Sequence, residues 1–290
     1  MEYDMNISHK KLALSIIVIF LFIILFAVYV LVANKALSLR EFEISSSKIP
    51  AAFNGFRILH ISDLHNESFG KDNEKLIKKI RAAEPDIIAL TGDIIDSRKT
   101  EISVAEHFIG EAVKIAPVYY VTGNHEPRID ASAELYSSMT AQGVKILRSE
   151  RLTIKKDDGK ITLYGIDDPS FAADYLFGDE DAVITSSLER LGKGDDFSIL
   201  LSHRPEFFRI YCEYGFDLVL SGHAHGGQFR LPFVGGLFAP GQGFFPEYDS
   251  GLYSNEDTSM IVSRGLGNSV IPLRLFNRPE IITITLKEEK

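Results

Sequence analysis

The sequence predicts a mixed α/β domain carried behind one membrane-spanning helix. Three observations lead there. Residues 12–33 form an uncharged apolar run, short β-rich runs alternate with amphipathic helical patterns from residue 56 onward, and Asp, Asn and His recur directly after the β-rich runs. The 290 residues suffice for one large domain or two small ones. Net charge is -9 and Lys and Arg occur singly or in pairs, so nothing supports a nucleic-acid-binding surface. The single cysteine, Cys212, excludes an intrachain disulfide and a cysteine zinc site, and it reads as buried filler in a helix.

In the apolar run only Ser15 and Tyr29 carry polar atoms. A helix needs about 20 such residues to cross the hydrocarbon core. A secretory signal uses roughly 7–15 and then a small-residue cleavage site, which Ala36-Leu37-Ser38 imitates poorly. Residues 1–36 are therefore expected to be an N-terminal tail and a permanent single-pass anchor in the cell membrane. Lys10 and Lys11 before the span nearly balance Lys35 and Arg40 after it. The short tail favours an inside N-terminus and an extracytoplasmic domain. Residues 37–55, with Ser45, Ser46, Ser47 and Pro50, read as linker and lead-in, and 56–290 as the globular domain.

Within the domain, residues 56–62, 86–91 and 118–122 are rich in Ile, Val, Leu and Tyr, as buried strands are. Residues 73–84 place Leu76, Ile77, Ile80 and Ala83 on one helical face and stop at Pro85. Residues 103–115 open with Ser103 and Glu106 at capping-box spacing. Further on, 143–147, 152–155, 161–166, 197–201, 217–220, 260–263 and 281–286 look extended, with a helix between Pro205 and Gly215. Residues 226–253 form a long loop rich in Gly, Pro and aromatics, a length that usually signals a function or a partner. Parallel βαβ units are expected to lead and more hairpin-like strands to follow.

Five strand candidates run straight into metal-ligand chemistry. They lead to Asp63-Leu64-His65, to Asp93 with Asp96, to Asn124-His125-Glu126, to His203 and to His223-Ala224-His225. Five of the eight histidines sit at these ends, where open α/β sheets bind ligands. A bridging carboxylate with further carboxylate, amide and imidazole ligands suits two cations about 3.5–4 Å apart. The side-chain oxygen of Asn124 would be a neutral ligand. Glycines at 123 and 222 let the backbone turn sharply beside these side chains. Other templates fail: there is no Gly-x-Ser-x-Gly elbow, no His-Glu-x-x-His and no P-loop, and Gly265-Leu266-Gly267 is too short for a dinucleotide fingerprint.

Together Asp63-x-His65, Gly92-Asp93-x-x-Asp96, Gly123-Asn124-His125-Glu126, His203 and Gly222-His223-x-His225 resemble the calcineurin-like metallophosphoesterases, over residues 56–286. Gly226-Gly227-Gln228 followed by Leu231-Pro232 is similar to the bacterial membrane-associated YkuE/YaeI-like branch. Relatives of that branch include pyrophosphatases of lipid precursors. The resemblance implies a four-layer αββα sandwich holding two divalent ions, Mn, Fe or Zn. It implies that Asp63, His65 and His225 bind the first ion, that Asn124, His203 and His223 bind the second, and that Asp93 bridges them. His125 would act on the leaving oxygen without binding metal, and Asp96 would orient a ligand from behind.

The implied enzyme hydrolyses a phosphate ester or pyrophosphate by metal-bound hydroxide. A lipid-linked or envelope substrate is favoured by the anchor and by Phe229, Phe233, Phe238, Phe244, Phe245, Tyr248 and Tyr253 in the long loop, which could equally form a local mini-core. The rival readings are a non-catalytic metal-binding scaffold on the same fold and a phosphatase or phosphodiesterase of soluble substrates. No nucleic-acid partner is expected, and the chain is expected to be a monomer. Among the remaining groups, His60 reads as a core histidine, His107 and His9 as solvent-facing, and Asp167-Asp168-Pro169 as a turn beside the site.

Overall fold

Alternate residues of the central strands enter different cores, and that alternation builds the layers. The computed structural model describes residues 2–172, 178–268 and 272–289. In chain order the elements are α1 (Glu2–Lys35), β1 (Ser38–Ser46), β2 (Arg57–Ile61), α2 (Glu74–Ala82), β3 (Ile87–Thr91), α3 (Ile102–Ala112), β4 (Val118–Val121), α4 (Ser132–Ala141), β5 (Lys145–Ile146), β6 (Glu150–Lys156) and β7 (Gly159–Gly165). They continue with α5 (Glu180–Leu191), β8 (Ser198–Leu201), α6 (Phe208–Glu213), β9 (Leu218–Ser221), β10 (Arg230–Leu231), β11 (Gly235–Gly236), β12 (Phe238–Ala239), β13 (Gly243–Phe244), β14 (Gly251–Asn255), β15 (Thr258–Val262) and β16 (Glu280–Glu288).

Two six-stranded sheets result, ordered β1-β16-β2-β3-β4-β5 and β14-β15-β9-β8-β7-β6. In β3, Ile87 and Ala89 enter the core between the sheets, while Ile88 and Leu90 face α2, α3 and α4. In β8, Ile199 and Leu201 enter the same central core, while Leu200 packs with Leu188 of α5 and Tyr211 of α6. Period-two patterning thus gives a helix, sheet, sheet, helix stack, the four-layer αββα sandwich expected.

Several expectations need correction. Residues 38–46, expected as linker, are strand β1, paired in parallel with β16 from Ser38↔Glu280 to Ser46↔Glu288. The alternation was present in Arg40, Phe42 and Ile44, but flanking Glu and Ser residues on the exposed face masked it. The second half is not mainly hairpins: β7, β8, β9 and β15 run parallel, and only β6/β7 and β14/β15 form antiparallel ends of that sheet. The capping box does not form, because α3 starts at Ile102 and places Ser103 inside its first turn. Cys212 is half-exposed on α6 rather than buried. The sequence reading also missed α4 and α5. In α4 only Leu135 and Met139 are buried, a thin stripe. In α5 the signal was stronger: Ile184, Leu188 and Leu191 lie on one face, and Asp179 caps the first turn through Asp181 N–H and Ala182 N–H.

Helix α1 contains one stretch, Lys11–Lys35, long and apolar enough to cross a membrane. Many of its apolar side chains, such as Leu25 and Leu31, are exposed. Only its last turns touch the domain, where Val30 and Ala33 are buried.

Candidate metal centre

The carboxyl ends of β2, β3 and β4 in one sheet and of β8 and β9 in the other converge on one volume. The turns there are tight. Asp63, His65, Asp93, His223 and His225 all have left-handed backbone, with φ of 53°, 47°, 51°, 64° and 49°. Such conformations cost of order 1–3 kcal/mol each and persist because neighbouring strands hold them. Asp63 N–H donates to Gly92 O and His65 N–H to Asp93 O. The glycines are required by proximity. A Cβ on Gly123 would stand 2.3 Å from Asp93 Oδ1, and one on Gly222 would stand 1.8 Å from Ser62 Oγ.

Three trios of ligand atoms form among the described residues, with atoms within 4.8 Å of one another in each. Asp63, His65 and His225 make one and Asp93, His203 and His223 another, both of expected ligands; the third, His65, Asp96 and His125, shares His65 with the first. The Nε2 atoms of His65 and His225 are 3.2 Å apart, and His225 Nε2 is 3.4 Å from Asp63 Oδ1. In the second trio His203 Nε2 is 3.1 Å from His223 Nδ1 and 3.3 Å from Asp93 Oδ2. That same Asp93 oxygen is 3.5 Å from His65 Nε2 in the first trio. Asn124 Oδ1 is buried without a hydrogen-bond partner. Its residue follows β4, and it lines a cleft of about 320 Å³ with Asp93, His125, Arg128, Arg204, His223 and Gly241 among others. Every expected ligand except Asn124 thus has a measured contact within a trio, and Asn124 shares the cleft.

These donors fit divalent cations. Convergent lone pairs and a buried, unpartnered amide oxygen are costly without a positive charge between them. The electrostatics agree. Burial pushes the Asp63 carboxyl up to about 6, with His203 opposing and Asp93 adding to the rise. Burial lowers His65 to about 3 and also lowers His223 and His225. His203 departs in the opposite sense. Burial would lower it, but the charge and hydrogen bond of Asp93 outweigh that and raise it to about 10. Its Nδ1–H donates to Thr91 O at 2.7 Å, which aims Nε2 at Asp93.

His125 stands beside both trios of expected ligands. Its Nε2 is 3.9 Å from Asp93 Oδ2, and its backbone N–H donates to Asp93 Oδ1 at 2.8 Å. The Nδ1 atom accepts the Ser97 backbone N–H at 3.0 Å. In the neutral ring the proton therefore sits on Nε2; burial favours this neutral form by lowering the pKa. Asp96 is 3.6 Å from His125 Nδ1, too far for a hydrogen bond, and forms a fork with Arg98 at 2.9 and 2.8 Å. Ser97, which the sequence did not single out, thus makes the close contact with the ring. Asp96 does not cap a helix, since α3 starts six residues later.

Residues without an assigned role complete the site. Glu126 is fully buried, and its carboxylate accepts the N–H groups of Gly123, Asp93 and Ile94 at 2.8, 3.2 and 2.9 Å. It locks the β3 and β4 turns together. Burial, then the Asp93 charge, raises it to about 7. Asp168 pairs with buried Arg204 at 2.6 and 3.1 Å, so the 167–169 turn does border the cleft. Arg274 is fully buried and reaches His225 Nδ1 at 3.4 Å. Its backbone N–H donates to Asn34 Oδ1 at 2.8 Å, and Asn34 Nδ2 returns a bond to Arg274 O at 3.0 Å. Among these Glu126 carried a sequence signal, its place directly after Asn124-His125, and Asp168 carried one in the Asp167-Asp168-Pro169 turn; Arg204 and Arg274 carried none. His60 is a core histidine as expected, bonded to Thr91 Oγ1 at 2.8 Å, and His107 and His9 are exposed.

Paired Asp/His donor trios at the strand ends of an αββα sandwich define a metal-dependent phosphoester hydrolase. Residues 56–227 match the calcineurin-like phosphoesterase family, and the chain belongs to that family. It is 36% identical to the metallophosphoesterase YkuE of Bacillus subtilis, over 85% of this chain and 84% of that one. It is 29% identical to a zebrafish (Danio rerio) protein named transmembrane protein with metallophosphoesterase domain, over 90% of this chain and 60% of that one. Among solved structures, TT1561 of Thermus thermophilus shares the fold with a TM-score of 0.51 and 15% identity, over 73% of this chain and 90% of that one.

Proposed function

We propose that this hydrolase cleaves a phosphate ester or pyrophosphate at a dinuclear centre held by Asp63, His65 and His225 on one side and Asn124, His203 and His223 on the other. Asp93 joins the two sides. The observation that carries this reading is the position of Asp93 Oδ2, within 3.5 Å of a histidine from each trio. Mixed carboxylate, amide and imidazole donors suit Mn, Fe or Zn. Bound there, a pair of divalent ions supplies an ionised water near neutral pH and offsets charge on the phosphoryl oxygens.

The chain's own residues do the rest. His125 holds a proton at Nε2, facing the cleft, where it can pass to the leaving oxygen. Ser97 fixes that tautomer, and Glu126 fixes the turn that carries the ring. Asp96 steadies the backbone of the same loop through Arg98. Arg128 and Arg204 line the cleft and are placed to meet phosphate oxygens. Helix α1 anchors the chain as a single pass with its N-terminus inside, so a lipid-linked or envelope phosphate ester is the favoured substrate. The exposed ring of Phe244, in the hairpin that brings Gly241 to the cleft, supports that preference.

Hydrolysis of aryl phosphates, nucleotides and lipid pyrophosphates with added Mn²⁺ tests the reading. Asp93→Ala should lose both ions and nearly all turnover; retention of two tightly bound ions would refute the bridge. His125→Ala should keep its metal while losing about 10²–10⁴-fold in rate. The loss should shrink for nitrophenyl esters, whose leaving groups need less protonation. Equal losses across leaving groups would mean that His125 binds phosphate instead.

A further inference from the structure

The domain is fastened closely to the end of α1. Only Ala36 and Leu37 separate α1 from β1, and Leu37 is buried as part of the core cluster on the helical side of the first sheet. At a rise of 1.5 Å per residue the 25-residue stretch Lys11–Lys35 is about 37 Å long, against a hydrocarbon core of about 30 Å. Its last turn therefore emerges at the headgroup layer, and whatever packs on that turn is held there too. Asn34 pairs with both backbone groups of Arg274, Tyr29 lies tilted against Phe276 with centroids 5.9 Å apart, and Lys35 pairs with Glu67. The exposed guanidinium of Arg278 donates to Ala36 O at the same level, a position suited to phosphate headgroups.

From that point an apolar surface continues outward. Leu275 bridges to Phe229, which leads into the β10–β11 hairpin, whose tip holds Phe233 and Val234. Phe233 is fully open, at 109% of its reference exposure, and Val234 is exposed at 61%. Phe245 N–H donates to Leu237 O, which ties in the β12–β13 hairpin, where Phe238 and Phe244 meet edge to face with centroids 5.4 Å apart. Phe244 and Phe245 are 71% and 61% exposed. The connection inside this hairpin, Pro240-Gly241, lines the cleft of the metal centre. Of the two roles open to this loop, the structure gives the packing one to the half-buried Tyr248 and Tyr253: Tyr248 packs on Phe208, and Tyr253 on Tyr248. The phenylalanines are left facing out. Soluble surfaces rarely leave such a group uncovered, whereas aromatics are favoured at the membrane interface.

We infer that the 229–245 hairpins, with Phe276, are a membrane-seating surface that lies in the bilayer interface and turns the mouth of the metal cleft toward the lipid headgroups. This rests on α1 crossing the bilayer and not on the identity of the substrate. It makes the accessible phosphate one that is presented at the membrane surface.

Site-directed fluorescence on the full chain, reconstituted in phosphatidylcholine–phosphatidylglycerol vesicles, tests it. With Cys212→Ser removing the native thiol, single cysteines replace Phe233, Phe244, Leu25 or Lys193, each carrying an environment-sensitive dye. Nitroxide-labelled lipids should quench the dye at 233 and 244 several-fold more than at 193, an exposed position just after α5, and aqueous iodide should show the reverse order. Metal content checks that each variant is folded. Quenching at 233 and 244 no stronger than at 193, with strong quenching at 25, would overturn the seating surface alone. Absence of quenching at 25 would instead overturn the anchor on which it rests. Neither outcome touches the hydrolysis chemistry, which is read separately.

Discussion

Arg274 shows how far a single side chain can reach beyond its place in the sequence. It sits 49 residues from His225 yet contacts that ring, and Asn34 of α1 holds its backbone from the other side. Burial lowers its guanidinium to about 10, and donation to Arg264 O and Gly267 O compensates for its removal from water. Removing partners behind metal ligands typically costs about 10–100-fold in metal affinity. Arg274→Lys should therefore weaken Mn²⁺ binding within that range, and Asn34→Ala should weaken it less, as read by equilibrium dialysis. Unchanged affinity in Arg274→Lys would remove its role in holding His225. The seven proposed ligands were legible because each follows a β-rich run that fixes where it points. Glu126, Ser97 and Arg274 were not legible as actors. What they do depends on backbone N–H and carbonyl groups that only the folded turns bring together.

Strand β1 changes what the anchor means. A flexible lead-in would let the domain wander, but nine register pairs fasten residues 38–46 to β16. Deleting residues 1–36 should leave a folded domain, since Leu37 and β1 remain. Deleting through residue 46 should bare the β16 edge, lower the melting temperature and promote aggregation, which circular dichroism and light scattering would detect. Equal stability of the two truncations would show that β1 is dispensable. Strand β2 carries a pH signature. Burial holds His60 at about 3, against its usual 6.5. As pH falls through that window the unfolded chain takes up the proton first, so stability is lost by up to about 1.4 kcal/mol per pH unit. Urea titrations between pH 7 and 5 should show a shallower loss in His60→Gln; the same slope as wild type would contradict the neutral buried ring. The central strands were readable from continuous apolar runs such as Ile87–Thr91, buried on both faces, whereas β1 packs mainly on one face and Glu41, Glu43 and Ser45 interrupt its apolar pattern.

At the scale of the molecule, two sheets supply one site. Three of the turns that carry proposed ligands come from the first sheet and two from the second, so the proposed centre would form only when the sheets pack through Ile58, Ala89, Leu201 and Leu220. The strand–helix order made an α/β domain legible, and the motif set implied the sandwich. The mostly parallel second sheet was not foreseen, because short apolar strands carry no sign of their direction. The firm attachment to α1 also sets how the whole enzyme should behave. The 37–290 fragment should match the full chain on small aryl phosphates and be much slower on a bilayer-embedded lipid phosphate, where the anchor supplies a high effective concentration. If lipid turnover tracks small-ester turnover in both forms, a soluble substrate becomes the better reading. The central claim is the dinuclear centre itself, and anomalous X-ray scattering from Mn²⁺-loaded crystals tests it most directly. The account predicts two peaks about 3.5–4 Å apart, one beside Asp63, His65 and His225, the other beside Asn124, His203 and His223, with Asp93 between them. A single peak, or a pair lying away from Asp93, would contradict it.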